Sequence, residues 1–129
     1  MLAVDTNVIV RYLTGDDPEQ FTSAKALVIA GNLFLPTTVL LETEWVLRSL
    51  YHYPRRRIAE ALRSLAGLVE INLEEPSVAA QALEWFETGL DFGDALHLAG
   101  SAHCEAMITF DRAFIRGAAR LGGVLVRAP

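Results

Sequence analysis

The chain has 129 residues, of which 52% are hydrophobic, and a formal net charge of −5. This length suits one globular domain with a real core, and the hydrophobic content excludes a disordered chain. No apolar run approaches the ~18 residues that a membrane helix needs. The single cysteine, Cys104, excludes an internal disulfide and a cysteine zinc site. We therefore expect one domain over residues 1–129, cytoplasmic and without a membrane partner.

Short apolar runs alternate with amphipathic stretches along the chain, and this alternation predicts a parallel sheet with covering helices. The predicted fold class is α/β, a three-layer α/β/α sandwich with a central, mostly parallel five-stranded sheet. In chain order, the pattern predicts strand 2–4, helix 7–13, helix 18–30, strand 33–35, helix 38–50, helix 55–65, strand 69–71, helix 76–88, a helix that follows residues 91–94 and ends near 103, strand 106–109, helix 112–121 and strand 124–126.

Start and stop signals support several of these boundaries. Asp17, Pro18 and Glu19 combine a favoured N-cap, proline at the first helical position and an acid in the first turn. Gly31 is expected to end that helix, and either Thr37 or Thr38 is expected to cap the next long one.

Four carboxylates occupy positions where they could meet at one edge of the predicted sheet. Asp5 follows the first strand, Asp111 follows the fourth, Glu42 lies one turn inside the helix after the second, and Asp94 lies in a first helical turn. Ligands of open parallel sheets bind beyond the carboxyl ends of the strands. Carboxylates are the ligands that Mg²⁺ and Mn²⁺ prefer, and several close carboxylates repel one another unless a cation offsets their charge. The pattern therefore predicts a metal site.

A purely structural explanation of the aspartates also stands. Asp5, Asp91 and Asp111 each precede a helix, where Asp is a favoured N-cap, and Asp94 is placed to interact with a helix dipole. Glu42 is harder to explain in this way, because its apolar neighbours look buried and a glutamate there needs a partner or a role. Glu44, two positions on, is expected to point elsewhere and to be solvated.

The acidic segments resemble the motifs of one nuclease superfamily. Val4-Asp5-Thr6-Asn7 resembles the start of PIN-domain nucleases, and residues 41–47 resemble the second motif of the VapC-type toxins within that superfamily. Residues 91–99 and 109–111 are similar to the third and fourth motifs. The motifs occur in the family's order from residue 4 to residue 111, so the resemblance covers nearly the whole chain.

The resemblance implies an Mg²⁺- or Mn²⁺-dependent endoribonuclease, a phosphodiester hydrolase that acts as the toxin of a type II toxin–antitoxin pair. It implies a homodimer and a cognate antitoxin that covers the site. It assigns the metal-binding and catalytic roles to Asp5, Glu42, Asp94 and Asp111, with cleavage of RNA by metal-activated water as the hypothesis. The residues expected to support these acids are Thr6, Asn7, Asp91 and Thr109.

The net charge of −5 argues against simple electrostatic attraction of RNA. Bound metal would neutralise part of this charge, and every basic residue except Lys25 is an arginine, which suits phosphate contacts. Arg11, Arg48 and Arg112 lie near the acidic motifs and are candidate RNA contacts, although a surface salt bridge is the alternative for each.

Two other protein classes fit the same residues less well. A phosphatase with an Asp nucleophile needs a second Asp where Asn7 stands and a downstream lysine, and a signalling receiver domain needs a late lysine. The only lysine is Lys25, on an early helix, so both are disfavoured. The remaining alternative is a non-catalytic module with a PIN fold that binds RNA or protein, and a metal-dependent cleavage assay separates it from an enzyme.

Overall fold

The computed structural model describes residues Met1–Pro129 and contains five β-strands and seven α-helices. The chain divides into two compact units, Met1–Pro76 and Ser77–Pro129. None of the helices combines the length and the apolar character needed to cross a membrane. In chain order the elements are β1 (Leu2–Ala3), α1 (Thr6–Thr14), α2 (Pro18–Ala30), β2 (Leu33–Leu35), α3 (Thr37–Ser49), α4 (Arg55–Ala66), β3 (Ile71–Leu73), α5 (Pro76–Glu87), α6 (Phe92–Gly100), β4 (Ala106–Ile108), α7 (Arg112–Ala118) and β5 (Leu125–Arg127).

The first unit contains a three-stranded parallel sheet in the order β1-β2-β3. Leu2 pairs with Leu33, and Leu33 pairs in turn with Ile71. Leu33 and Leu35 alternate with a half-buried residue and are themselves buried, as expected of a strand with one face in the core. Helix α1 packs against α2 and α3, and α3 packs against α4.

The second unit contains a two-stranded parallel sheet, β4-β5, with helices α5 to α7. Phe86 and Phe92 pack edge to face in its core, with ring centroids 5.4 Å apart. Gly123 lies so close to Trp85 and Leu98 that a Cβ there would come within 3.0–3.1 Å of both side chains. Glycine at this position therefore allows the turn before β5 to pack directly on the core.

The α/β class and the parallel pairing agree with the prediction, but the strands form two sheets instead of one five-stranded sheet. In the first sheet β1 is hydrogen-bonded only to β2, and in the second β4 is hydrogen-bonded only to β5. The strands have two or three residues each. Hydrophobic patterning does not reveal which strand edges pair, since the three-residue β2 pairs on both edges while β1 and β4 pair on one.

The third strand lies two residues later than predicted, at Ile71–Leu73 instead of 69–71. Val69 is 91% exposed, whereas Ile71 is buried and pairs with Leu33. The side chain of Asn72 also donates a hydrogen bond to the carbonyl of Leu33, at 3.0 Å. A slip of two residues keeps the same side chains on the same face, so apolar alternation does not distinguish the two placements.

Most helix starts agree with the prediction, and several ends do not. Asp17 caps α2 by accepting a hydrogen bond from Gln20 N–H at 3.0 Å, as expected. Neither predicted threonine caps α3, whose N-cap is Pro36 without a side-chain hydrogen bond. Helix α6 ends at Gly100 instead of near 103, and the Ser101 hydroxyl that follows donates to the His97 carbonyl of the last turn, at 2.7 Å. Helix α7 ends at Ala118, three residues before the predicted end at 121.

Candidate active site

Asp5 and Glu42 are connected through a single residue, Thr6. Asp5 ends the segment that follows β1, and its Oδ1 accepts a hydrogen bond from Thr6 N–H at 2.7 Å. The Thr6 side chain is buried, and its hydroxyl donates to Oε1 of Glu42 on α3. Each carboxylate keeps its second oxygen free of protein hydrogen bonds, so both can accept a further ligand.

These two carboxylates line a cavity of about 300 Å³ in the first unit. Asn7, a predicted supporting residue, also lines it and is itself exposed. The structure therefore brings together two of the predicted acids and two of the predicted supporting residues, Thr6 and Asn7. The other lining residues are Val10, Arg11, Val46, Leu50 and Tyr51.

The two glutamates of α3 are placed opposite to their predicted environments. Glu42 is exposed on the cavity, whereas Glu44, which was expected to be solvated, is 1% exposed. Oε2 of Glu44 accepts a hydrogen bond from Nε of Arg48 at 2.9 Å. Residues 42 and 44 are about 200° apart around a helix, so only one of them can face the core. The buried stripe of α3 runs through Leu40, Thr43, Glu44 and Leu47.

Arg11 is held beside the same cavity by a polar network that sequence analysis did not identify. Its Nη1 lies 2.9 and 3.0 Å from the two carboxylate oxygens of Asp16 and donates to the hydroxyl of Tyr51 at 2.9 Å. The Tyr51 hydroxyl donates in turn to Oδ2 of Asp16 at 2.6 Å. This bond and the nearby Thr14 hydroxyl lower the pKa of Asp16 to about 2. The only sequence signal was the proximity of Asp16 to Arg11, which does not indicate the contact with Tyr51.

The other predicted acids lie in the second unit, at the starts of two helices. Asp91 caps α6 by accepting a hydrogen bond from Asp94 N–H at 3.0 Å. Asp111 caps α7 by accepting one from Phe114 N–H at 3.1 Å. The hydroxyl of Thr109 accepts a hydrogen bond from Asp111 N–H at 3.0 Å, which fixes the backbone at this cap. Both aspartates thus have the capping role that their positions before helices indicated, while support of a metal site by Asp91 and Thr109 stays a prediction.

Asp94 has an electrostatic environment that disfavours its charge. Partial burial raises the pKa of its carboxyl above the usual value, and the nearby charges of Asp91 and Asp111 raise it further. His97 acts in the opposite direction. No side chain donates a hydrogen bond to the Asp94 carboxylate. A cation bound here would relieve the repulsion that these carboxylates produce.

The predicted acids therefore lie in two pairs, with Asp5 and Glu42 in the first unit and Asp94 and Asp111 in the second. Within either unit, no three Asp, Glu, His or Cys side chains converge closely enough to hold a metal ion by themselves. The candidate RNA contacts differ in their surroundings. Arg11 and Arg48 form ion pairs with Asp16 and Glu44, while Arg112 is exposed at the first position of α7.

Comparison with known families gives one match, to the PIN domain, over residues 2–120. That range includes all four acids and every predicted supporting residue. No curated protein and no solved structure matches the chain.

Proposed function

The chain belongs to the PIN domain family, a family of mostly metal-dependent ribonucleases, and from this membership we propose that it is an Mg²⁺- or Mn²⁺-dependent endoribonuclease. The observation that carries the proposal is the position of Asp5 and Glu42 on one cavity, joined through the Thr6 hydroxyl. A buried hydroxyl that orients one carboxylate beside another is the kind of support that metal ligands require.

The donor chemistry of the acids fits a hard divalent cation. All four are carboxylates, which Mg²⁺ and Mn²⁺ prefer over nitrogen or sulfur ligands. The raised pKa of Asp94 fits as well, because like charges around it leave a local excess of negative charge for a cation to neutralise. We propose that Asp5, Glu42, Asp94 and Asp111 hold the metal. When bound, it would supply Lewis-acid polarisation of the scissile phosphate and neutralise charge on the leaving oxygen.

The residues of the chain would position these acids before RNA arrives. Thr6 holds Oε1 of Glu42, and both residues line the cavity. Asp91 fixes the first turn of α6, and with it the backbone that carries Asp94. Thr109 holds the backbone of Asp111 in the same manner. Such fixed geometry lowers the reorganisation required during reaction.

Metal-dependent cleavage tests this proposal directly. Purified protein is incubated with end-labelled single-stranded RNA in Mg²⁺, in Mn²⁺ and in chelator, beside the Asp5→Asn variant. We expect cleavage that requires metal and falls by about 10²–10³-fold in the variant. Glu60→Gln is the matched control, because Glu60 is an exposed carboxylate of α4 outside the cavity. RNA binding without cleavage would instead identify a non-catalytic binding module.

We propose further that the enzyme acts as the toxin of a toxin–antitoxin pair and works as a homodimer. Several large apolar side chains are exposed, namely Val69 at 91%, Phe110 at 88%, Ile29 at 71% and Leu50 at 64%. A partner that covered any of them would gain free energy from the burial of apolar surface. The test is induced expression in a bacterial host, alone or with the product of the adjacent upstream reading frame. Growth arrest that requires Asp5 and is relieved by that product would support the proposal, and unaffected growth would contradict it.

A further inference from the structure

The cavity that holds Asp5 and Glu42 is lined by residues of two chemical kinds. Its small polar and charged residues are Asp5, Thr6, Asn7, Arg11 and Glu42, and its apolar and aromatic residues are Val10, Val46, Leu50 and Tyr51. Its volume of about 300 Å³ is far above what a single water needs and reaches the lower limit of small-molecule sites. The apolar and aromatic residues have no role in holding a metal, so they are available for another part of a substrate.

The ring of Tyr51 is held in place at both its ends. Its hydroxyl is bonded to Asp16 and Arg11, at 2.6 and 2.9 Å. Its ring packs edge to face with Tyr53, with centroids 6.0 Å apart. The guanidinium carbon of Arg57 lies 3.7 Å from the centroid of the Tyr53 ring, which holds that ring in turn. An aromatic face fixed in this way loses little entropy when a ligand binds to it.

We propose that Tyr51 is a stacking platform for one unstacked nucleobase of single-stranded RNA, bound beside the carboxylates that act on the adjoining phosphate. The inference rests on the ribonuclease activity proposed above and adds a subsite to it. Single-stranded RNA is recognised largely by stacking of splayed bases on aromatic side chains. The part of the substrate next to the apolar and aromatic lining residues has to be uncharged and flat enough to stack on Tyr51. A nucleobase meets both conditions, and a phosphate meets neither.

The platform would also supply a source of RNA affinity that does not require a positive net charge, in a chain whose net charge is −5. Affinity from stacking does not depend on counterion release, whereas affinity from basic patches falls steeply with salt. Arg11, which donates to the Tyr51 hydroxyl, is paired with Asp16 and contributes less net charge than a free arginine. The part of the RNA affinity that comes from stacking is therefore expected to depend only weakly on salt.

The experiment pairs a change in the protein with a change in the RNA. Oligoribonucleotides that carry one abasic residue, moved stepwise along the sequence, are cleaved by the wild type and by Tyr51→Leu. In the wild type, one position should show a kcat/KM lower by about 5- to 150-fold, the equivalent of about 1–3 kcal/mol per stacked base. In Tyr51→Leu the intact RNA should show the same loss, with no further loss from the abasic residue.

Tyr51→Phe keeps the ring and should retain the loss of kcat/KM that the abasic residue causes. Trp45→Leu removes an exposed aromatic side chain that does not line the cavity, and it should leave that loss unchanged. A penalty as large in Tyr51→Leu as in the wild type would overturn the platform, as would its loss in Tyr51→Phe. Thermal unfolding checks that each variant is folded.

A second measurement separates this inference from the activity itself. An oligoribonucleotide with 2-aminopurine at the sensitive position, or stepped through all positions if none is known, is added to Asp94→Asn protein. Stacking on Tyr51 should quench its fluorescence, and the double variant Asp94→Asn/Tyr51→Leu should not. If the wild type does not cleave RNA, the proposed function fails while the quenching still reports on the platform. Equal fluorescence in the two proteins would overturn the platform whether or not RNA is cleaved.

Discussion

The hydroxyl of Thr6 donates a hydrogen bond to Oε1 of Glu42, 36 positions later in the chain. Thr6 is buried on α1, whereas Glu42 is exposed and lines the cavity, so a buried residue orients an exposed one. Thr6 therefore has two roles, the orientation of Glu42 and the packing of α1 on α3, and mutation can test them separately.

Thr6→Val should lower kcat/KM for RNA cleavage by about 10- to 100-fold, because it keeps the side-chain shape and removes the donor that orients the carboxylate. Stability should change by less than about 1 kcal/mol, since the exposed Glu42 can turn to water. Thr6→Ser should restore most of the activity. Steady-state kinetics and urea unfolding measure the two effects, and full activity in Thr6→Val would contradict the assigned role.

Asp94→Asn should abolish cleavage and at the same time raise the melting temperature of the metal-free protein at neutral pH. The pKa of Asp94 is raised in the folded state by burial and by the charges of Asp91 and Asp111. The folded chain therefore binds a proton more readily than the unfolded chain. The ionised carboxylate of Asp94 lowers the free energy of unfolding at neutral pH, and this destabilisation disappears as pH falls through the raised pKa.

Thermal scans of the wild type and Asp94→Asn, from pH 7 down to pH 4, check the sign of this effect. The two melting temperatures should converge toward low pH, where the wild-type carboxyl is protonated. Added Mg²⁺ should raise the melting temperature of the wild type more than that of the variant. A variant less stable than the wild type at pH 7 would show that Asp94 stabilises the fold.

Asp111→Asn and Asp111→Ala should separate capping from catalysis. The side-chain oxygen of Asn can still accept the hydrogen bond from Phe114 N–H, so its stability should stay close to that of the wild type. Ala removes the cap and should cost about 0.5–2 kcal/mol. Both should lose cleavage activity by about 10²-fold or more if the charge of Asp111 serves the metal. Activity retained in Asp111→Asn would show that Asp111 caps the helix and has no role in catalysis.

The pair of the buried Glu44 and the half-exposed Arg48 should be more strongly coupled than the exposed pair of Glu60 and Arg56. Both pairs have i, i+4 spacing, but the Glu44 side chain is 2% exposed and that of Glu60 is 67% exposed. Double-mutant cycles to alanine should give about 1–3 kcal/mol for the first pair and under about 0.5 kcal/mol for the second. Equal coupling energies, measured by urea unfolding, would show that burial of Glu44 adds nothing to its pairing.

The fold class was predictable because the hydrophobic periodicity changes clearly between short and long elements. Helix starts were predictable where side-chain chemistry defines them, as at Asp17, Asp91 and Asp111. Strand placement was not predictable to the residue, since Val69, Ile71 and Leu73 share one face in either register. The division of the strands into two sheets depends on which backbone edges pair, and the side-chain pattern does not indicate that pairing.

The environments of the site residues were harder to predict than their positions. Asp5 and Glu42 were selected together, and the structure places them on one cavity. The apolar context of α3 suggested a buried Glu42, yet the buried glutamate is Glu44. Helical spacing indicates that the two face apart, but which faces the core depends on how α3 packs against α1 and α4. Tyr51 follows the end of α3, and no local motif marks its contact with Asp16.

Asp5, Asp91 and Asp111 each accept a backbone N–H at the start of a helix, and this has a consequence for which acid can stand there. The bond suits the short side chain of aspartate, whose carboxylate is one methylene from the backbone, whereas glutamate has one methylene more. A longer acid would keep the charge and lose this hydrogen bond. The positions of these oxygens are thus set by the folding of the helices themselves.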